Sequence, residues 1–404
     1  MNVIKMFRGF LDKLNDVEDP IQSAKVMVSS IQQLVGITNV FGDKKRSITI
    51  VSFFAAVIFC GTFVYVGPFS QLLYLCHVFP DKSESFKAIN CISATCVPFS
   101  KYVFMWLARS IVELSRKGLS SIPEDIVNKK TMLSTLQRAR FISWLVVFNQ
   151  AFTHILYLLM PLFFTIFGND KYLPTTPGEI FGLSPKYETP YYEITFAITC
   201  TATAFSAINQ TGYIVLYVTL LAHELGHFYT ITDTYNNMHR TLKITENQGH
   251  TSERFDEDQV EKSLLFCAKH YQFLLHYHSK IRGFYTVVFG AHFLMMTIVL
   301  VTTMQTFSEW DISNTILTGV TGIMPLFLYC FGGELLISAG EEMAMSIYNC
   351  NWELMATKHA KIVLFMLCLA RRSLYFTAAD IIIMDRQTFG KVVQIIYKIY
   401  AVFN

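Results

Sequence analysis

The stretch FISWLVVFNQAFTHILYLLMPLFFTIFGN, residues 141–169, contains no Asp, Glu, Lys or Arg. A helix needs about 20 predominantly apolar residues to cross the hydrocarbon core of a bilayer, so this stretch is long enough to span a membrane. Five other stretches have the same character, with a single lysine (Lys101) among them: 47–80, 88–108, 194–222, 283–308 and 312–333. The sequence therefore predicts an integral membrane protein.

The composition favours the same class of protein. Of the 404 residues, 52% are hydrophobic and 16% are charged, whereas a soluble domain carries about 25% charged residues. The net charge of +3 is too small to indicate a nucleic-acid partner, and no basic patch with interleaved aromatic residues is present. The nine cysteines include no C-x-x-C pair, so we predict no disulfide framework. We also predict no cofactor, since the sequence contains no G-x-x-x-x-G-K-[ST] loop.

The distribution of Lys and Arg predicts the orientation in the membrane, because these residues are retained on the cytoplasmic side. Residues 1–46, 109–140 and 224–282 hold seven Lys or Arg each, whereas residues 67–87 and 170–193 hold two each. The alternation predicts a cytoplasmic N-terminus.

The fold class predicted is therefore an all-α membrane protein with seven transmembrane helices. Residues 224–282 and 334–373 are rich in helix formers and aromatic residues, so we expect extensions of the last four helices to form a cytosolic helical anchor layer. The predicted segments are 1–46 (cytosolic N-terminal segment), 47–230 (transmembrane helices 1–4), 231–262 (cytosolic connector), 263–385 (helices 5 and 6 with the anchor region) and 386–404 (last helix).

The last segment, RQTFGKVVQIIYKIYAVFN at residues 386–404, is just long enough to cross a membrane but contains Lys391, Gln394 and Lys398. Polar groups at membrane depth face a bundle interior or water rather than lipid. The pattern favours a helix that lines a pore in an oligomer. The alternative is an interfacial helix that lies on the membrane surface.

One motif points to a different chemistry. His223-Glu224-Leu225-Gly226-His227 matches H-E-x-x-H, which on a helix places two imidazoles one turn apart for zinc, with the glutamate as general base. An intramembrane zinc protease also needs a third ligand, an Asp in a later span, and residues 283–308 and 312–333 contain none. We favour a polar helix end and predict no metal site and no enzyme. An intramembrane metalloprotease is the less favoured alternative.

The C-terminal third of the chain resembles the insect odorant receptors. Residues 326–336, LFLYCFGGELL, look like the sixth-span signature of that family, and residues 344–352, AMSIYNCNW, are similar to its helix ending in Tyr-x-x-x-Trp. Residues 268–285 and 362–376 resemble further helices of the family. The specific resemblance lies within residues 263–404.

This resemblance implies an odorant-gated, non-selective cation channel in the plasma membrane of a sensory neuron dendrite. Channels of the family are tetramers, in which tuning subunits like this chain assemble with an odorant co-receptor. The last helix lines the central pore, with the gate at Val402 and with Ile399 and Phe403 nearby. A ring of apolar side chains can close a pore by dewetting. Lys398 departs from the small or neutral residue that is usual in the family.

The resemblance also places a small volatile ligand in the outer half of the bundle, among the second, third, fourth and sixth spans. Such ligands need a concave, mostly apolar cavity with few polar groups. In this sequence the corresponding parts are 87–98, 150–163, 191–208 and 313–326. The candidate ligand-binding residues are Phe152, Tyr157, Met160, Tyr192, Phe196, Thr203, Thr318, Thr321 and Met324. The loop 168–190 is predicted to cover the entrance.

A G-protein-coupled receptor is the other alternative for a seven-helix chain. It predicts an external and usually glycosylated N-terminus, but residues 1–46 contain no N-x-[ST] sequon. Neither Asp/Glu-Arg-Tyr after the third span nor Asn-Pro-x-x-Tyr in the last span is present.

Overall fold

The computed structural model describes residues 50–107, 114, 126–168, 171–173, 179–247, 257–305 and 312–403. The predicted N-terminal segment 1–46 lies outside these ranges. The elements in chain order are α1 Ile50–Val64, a π-helical turn Tyr65–Phe69, α2 Ser70–Val78, α3 Lys82–Leu107, α4 Ile126–Phe167, α5 Tyr191–Asn247, α6 Glu257–Gln305, α7 Ile312–Tyr348, a 3₁₀ turn Trp352–Leu354, α8 Thr357–Ala370, β1 Thr377–Ala378, β2 Ile382–Ile383 and α9 Arg386–Phe403.

Within the described ranges, five helical segments are long and apolar enough to cross a membrane: Val57–Val78, Lys130–Phe167, Tyr191–Leu242, Glu257–Met304 and Gly319–Leu354. Helices α3 and α9 do not belong to this group. Helix α3 contains Lys82, Glu84, Lys87 and Lys101, and the shorter α9 contains two lysines. The structure therefore supports a membrane protein with five apolar spans, and the count of seven stays a prediction.

Helix α5 lies at the centre of the bundle. Every residue from 209 to 228 is buried, which is more than five consecutive turns. A helix that is apolar and buried on all sides is a core helix, and α5 packs against α1, α3, α4, α6 and α7. It also continues as one helix through residues 231–247 of the predicted connector; residues 248–256 lie outside the described residues.

Helix α4 shows the opposite pattern. Its outer face exposes large apolar side chains, among them Phe148 at 71% and Phe167 at 75% of their surface. Contiguous apolar surface of this kind is rare on soluble proteins and is the surface that a lipid environment accepts. The contrast between α4 and α5 defines the lipid side and the core of the bundle.

Proline interrupts the hydrogen-bond ladder of several helices. Pro68 lies in the π-helical turn, while Pro98, Pro161 and Pro325 lie inside α3, α4 and α7. Proline has no backbone N–H, so one intrahelical bond is missing at each position. Such breaks are tolerated in membrane helices where neighbouring helices cover them.

A β-hairpin follows α8, which departs from the all-α fold expected from the sequence. Its strands pair antiparallel, with Thr377 opposite Ile383 and Ala378 opposite Ile382. The backbone N–H of Ala379 donates to the carbonyl oxygen of Thr286 on α6 over 2.9 Å. With only two residues in each strand, the hairpin produces no alternating pattern that a sequence reading could detect.

Ion pairs join elements of the C-terminal part of the chain. Arg282 Nη2 on α6 lies 3.0 Å from Asp380 Oδ1 in the hairpin turn, and Arg386 Nη2 at the start of α9 lies 3.2 Å from Glu334 Oε1 on α7. Lys358 Nζ on α8 donates to Glu261 Oε2 on α6 over 2.8 Å, and this hydrogen bond raises the pKa of Lys358. These pairs are largely exposed, so they orient the elements more than they stabilise them.

Close packing at Gly333 predicts a measurable loss of stability. A Cβ built at this position on α7 would overlap the backbone carbonyl of Met384 next to the hairpin. A backbone atom cannot rotate away, so we expect Gly333→Ala to destabilise the protein by about 1–3 kcal/mol. This corresponds to a fall of several degrees in the thermal unfolding temperature of the detergent-solubilised protein, measured by tryptophan fluorescence.

Gly283→Ala on α6 is the matched control, because a Cβ added there meets nothing within 4 Å. It should leave the unfolding temperature unchanged or raise it slightly, since alanine is favoured over glycine in a helix by about 1 kcal/mol. Equal unfolding temperatures for the two variants would contradict the close approach of α7 to the hairpin.

Candidate functional site

A cavity of about 210 Å³ lies inside the helix bundle. Its wall takes residues from α1 and the π-helical turn, and from α3, α4, α5, α6 and α7. Apolar side chains form much of the wall: Phe63, Val66, Ala94, Ala202, Met296 and Val299. A concave apolar site of this size fits one small organic molecule.

Amide side chains supply the polar part of the wall. Asn90 Nδ2 on α3 lies 2.8 Å from the hydroxyl oxygens of Thr302 and Thr303 on α6. Gln210 Nε2 on α5 donates to the carbonyl oxygen of Thr321 on α7 over 3.1 Å. These bonds use the amide hydrogens to join helices, and they fix the shape of the cavity.

Gln150 on α4 is different from the other amides. It is buried at the cavity wall, and its Nε2 has no hydrogen-bond partner among the described residues. An unpaired buried donor is costly unless a ligand or water satisfies it. Gln150 is therefore the side chain best placed to donate a hydrogen bond to an acceptor atom of a bound molecule.

Three of the residues predicted from the sequence lie together at the cavity wall, namely Tyr157 on α4, Thr203 on α5 and Thr321 on α7. Residues 150, 153, 154 and 157 follow the spacing of one helix face, and all four line the cavity. The loop from 179 onward is attached close by, because the Tyr65 hydroxyl in the π-helical turn donates to the carbonyl oxygen of Phe181.

Five other predicted ligand-binding residues, all with described side chains, are not part of the cavity lining. Phe152 is on the outer face of α4 and is stacked on Phe148. Tyr192 bonds to the carbonyl oxygen of Tyr172 over 2.9 Å, and Phe196 packs against Tyr192. Met160 is half-buried on α4 outside the lining, Met324 Sδ accepts from Asn149 over 3.3 Å, and the side chain of Thr318 lies outside the described residues.

Sequence reasoning missed the amides. Asn90, Gln150 and Gln210 are polar residues within otherwise apolar spans, which is a recognised signal of function in membrane helices. The sequence analysis chose aromatic, Met and hydroxyl side chains as ligand-binding candidates instead. A search for amides within the apolar spans would have found all three.

The His223-Glu224-x-x-His227 motif lies deep in the core, away from the cavity. Glu224 Oε1 is 2.6 Å from Nδ1 of His278 on α6, and His227 Nδ1 is 2.9 Å from Nε2 of His270, also on α6. Glu224 and His227 are thus each paired with a histidine of α6, whereas His223 Nδ1 is buried without a hydrogen-bond partner among the described residues. In the part of the chain that the structure describes, no group of three His, Cys, Asp or Glu is arranged to hold a metal ion.

Helix α9 carries a polar stripe. Gln387, Lys391, Gln394 and Lys398 are spaced by four, three and four residues, which places them on one helix face, and all four are exposed. Val392 and Ile396 lie on another face and are buried against the bundle. Of the predicted gate residues, Ile399 is half-buried, and the side chains of Val402 and Phe403 lie outside the described residues.

The Glu224–His278 pair yields a stability prediction. Loss of one partner of a buried hydrogen-bonded pair leaves the other unpaired, at a cost of about 3–5 kcal/mol. We therefore expect His278→Ala to lower the thermal unfolding temperature strongly, or to prevent purification of folded protein. His276→Ala on the same helix, at an exposed position, should change stability by less than about 0.5 kcal/mol. Similar behaviour of the two variants in size-exclusion and unfolding experiments would argue against the pair.

Comparison with known proteins agrees with this architecture. Over 93% of its length the chain matches the structure of the insect olfactory receptor OR5 from Machilis hrabei in complex with eugenol, with a TM-score of 0.74, 13% sequence identity and 96% of that chain covered. The structure of the same receptor described without eugenol matches with a TM-score of 0.72 and 12% identity, with the same coverage of both chains. No curated protein matches the sequence.

The model of the 7tm odorant receptor family matches residues 83–397 of this chain. That match spans well over half of the sequence and includes the segments that carried the resemblance, so the prediction of the family is confirmed. The chain belongs to the insect odorant receptor family.

Proposed function

We propose that the chain is a subunit of an odorant-gated, non-selective cation channel, and that a small volatile molecule binds in the cavity lined by Gln150. The observation that carries this proposal is the cavity itself, which combines an apolar wall with one buried, unpaired amide donor. Small-molecule sites commonly have this composition, since apolar contact supplies affinity and a few polar groups fix orientation.

The size and composition of the cavity wall indicate the chemical class of the ligand. A molecule that fills about 210 Å³ is small, and the described residues that line the wall include no Asp, Glu, Lys or Arg. We infer a neutral, mostly apolar ligand with a hydrogen-bond acceptor that faces Gln150. The similar receptor from Machilis hrabei was solved with eugenol, which makes eugenol a reasonable first probe for this chain.

The cavity is connected to α9 through packed helices. Below the cavity, Tyr217 on α5, Phe289 on α6 and Tyr329 on α7 pack against one another, with ring centroids 4.8–5.4 Å apart. Phe376, directly before the hairpin, is fully buried and packs against Tyr217 and Phe289 at 6.1 Å. In the proposed mechanism, a ligand binds the open conformation better and shifts the population toward it through this contact.

The polar stripe on α9 supports its role as a pore helix. An exposed face with two lysines and two glutamines does not suit lipid. The same helix exposes Val393, Ile395 and Tyr397 beside the stripe, which suits contact with lipid or with another subunit. We infer that the stripe faces water at the centre of an oligomer, in which an odorant co-receptor contributes the remaining subunits of a tetramer. Its expected location is the plasma membrane of a sensory dendrite.

The ligand site predicts a strong effect of cavity filling. Ala207 on α5 lines the cavity, so Ala207→Leu would place three more heavy atoms in the space that a ligand needs. We expect the odorant concentration for a half-maximal current to rise at least tenfold, or about 1.4 kcal/mol in binding free energy. The measurement uses cells that co-express the chain and a co-receptor, with an agonist found in a panel that includes eugenol.

Ala197→Leu is the matched control, because Ala197 lies on the exposed surface of the same helix. It should leave the dose–response curve unchanged at equal surface expression. If Ala207→Leu also left the curve unchanged, the ligand would bind elsewhere.

The pore assignment predicts position-dependent modification of α9. In Gln394→Cys, on the polar stripe, a charged water-soluble thiol reagent should change the odorant-evoked current, because the added charge enters the ion path. In Val392→Cys, at a buried position, the same reagent should have no effect. The unsubstituted chain, which has nine free cysteines, supplies the background. Modification without any change of current at Gln394 would contradict a pore on this face.

A further inference from the structure

A second cluster of polar side chains lies beneath the proposed ligand cavity, and its polar atoms take no part in the cavity lining or in the proposed pore. It consists of Lys101 on α3, Tyr213 on α5, Tyr285 and His292 on α6, and Tyr329 on α7, and is called the polar nest below. All five side chains are fully buried, with 0% of their surface exposed.

Helix geometry places the polar nest directly below the cavity floor. Lys101 follows the cavity residue Ala94 by seven residues, which is two turns on the same face of α3. His292 precedes the cavity residue Met296 on α6 by one turn. Val97, which lies between Ala94 and Lys101 on α3, and Met296 belong to one buried apolar cluster.

The polar atoms of the nest are unpaired. Lys101 Nζ, the hydroxyl groups of Tyr213, Tyr285 and Tyr329, and both ring nitrogens of His292 are buried without a hydrogen-bond partner among the described residues. A single group of this kind would be costly in a helix bundle, and a cluster of them more so. Six unpaired polar atoms at one place indicate that something other than the protein satisfies them.

Two tyrosine rings lie close to the amine of Lys101. Its Nζ lies 5.6 Å from the ring centroid of Tyr213 and 5.7 Å from that of Tyr329, within the range of cation–π attraction. The His292 ring lies 5.2 Å from that of Tyr329, and the rings of Tyr213 and Tyr285 are 5.6 Å apart. The five side chains therefore form one cluster around the amine.

The nest contains donors but no carboxylate. An ammonium, three phenolic hydroxyls and an imidazole N–H can all donate hydrogen bonds, and no ion pair of Lys101 occurs among the described residues. Hydrogen bonds from charged donors to an anion are the strongest that such a site can form. A small anion would neutralise the lysine and satisfy the hydroxyls together.

We propose that the polar nest is a binding site for a small monovalent anion, held by the Lys101 ammonium and by hydroxyl groups of the surrounding tyrosines. The anion is either inorganic, such as chloride, or the carboxylate of a small organic acid. The site is separate from the cavity and does not depend on channel function, so it is tested on the purified full chain.

The experiment measures the thermal unfolding temperature at constant ionic strength. The background salt is a bulky sulfonate, HEPES, which is replaced stepwise by chloride in one arm and by hexanoate in the other, with neutral hexanol as the control for hexanoate. We expect a saturable rise of about 3 °C or more in at least one anion arm. A rise with chloride identifies an inorganic anion, and a rise with hexanoate alone identifies an organic carboxylate.

Variants assign the effect to the nest. Lys101→Met removes the charge at similar side-chain length and should abolish the anion-dependent rise, while Lys361→Met, at an exposed lysine on α8, should retain it. If Lys101→Met does not fold, Tyr329→Phe removes one donor and keeps the ring, and it should weaken the apparent anion affinity about fivefold or more. Equal unfolding temperatures of the unsubstituted chain in all salts would overturn the proposal. An anion-dependent rise that persists in Lys101→Met, or that Tyr329→Phe leaves unchanged, would also overturn it.

Discussion

The complete burial of α5 is the constraint on which the rest of the structure depends. From residue 209 to 228 this helix is buried, so its polar side chains can find partners only inside the bundle, in the protein or in something bound there. Several do so on their own helix, as Thr211 does with Ala207 and Thr219 with Val215. Tyr217 reaches the carbonyl oxygen of Tyr329 on α7 instead. The contact between Tyr217 and Tyr329 thereby fixes the position of α7 against α5.

The same constraint separates structural from functional polar groups. Glu224 is fully buried, but its contact with His278 gives it a partner and makes it part of the packing between α5 and α6. Gln150 and Lys101 are buried just as deeply and have no such partner among the described residues. In a low-dielectric interior an unpaired polar group costs more than a paired one contributes, so it persists where something else binds it. In the nest every side-chain polar atom is unpaired among the described residues, whereas Glu224 and His227 each bond through one atom and leave the other unpaired. The two clusters therefore differ in how many of their polar atoms the protein satisfies.

The sequence was sufficient for the class of protein and for the family. The thickness of a bilayer sets the length of an apolar helix that crosses it, so stretches such as 141–169 indicate a membrane protein directly. Residues 326–336 carry a family signature, and the family match confirms it. The side chains of the cavity were harder to predict, because a span's composition does not reveal which face points inward. Tyr157 and Phe152 are five residues apart on α4, so they lie on different faces, and only Tyr157 lines the cavity. The hairpin at 377–383 depends on tertiary contacts with α6, which no local pattern encodes.

The prolines indicate where the proposed coupling between cavity and pore can bend. Helices α5 and α6 run through the membrane without proline, so they can transmit motion only as nearly rigid rods. Pro325 on α7 lies one turn below Thr321 at the cavity wall, and Pro98 on α3 lies one turn below Ala94. Each removes one intrahelical hydrogen bond, and kinks in helices concentrate at such positions. Pro161 on α4 likewise lies one turn beyond Tyr157 at the cavity wall. A ligand in the proposed site would therefore contact three helices that contain a proline, α3, α4 and α7, and two that do not, α5 and α6. Since Glu334 on α7 pairs with Arg386 at the start of α9, bending of α7 would act directly on α9, the helix that we propose lines the pore.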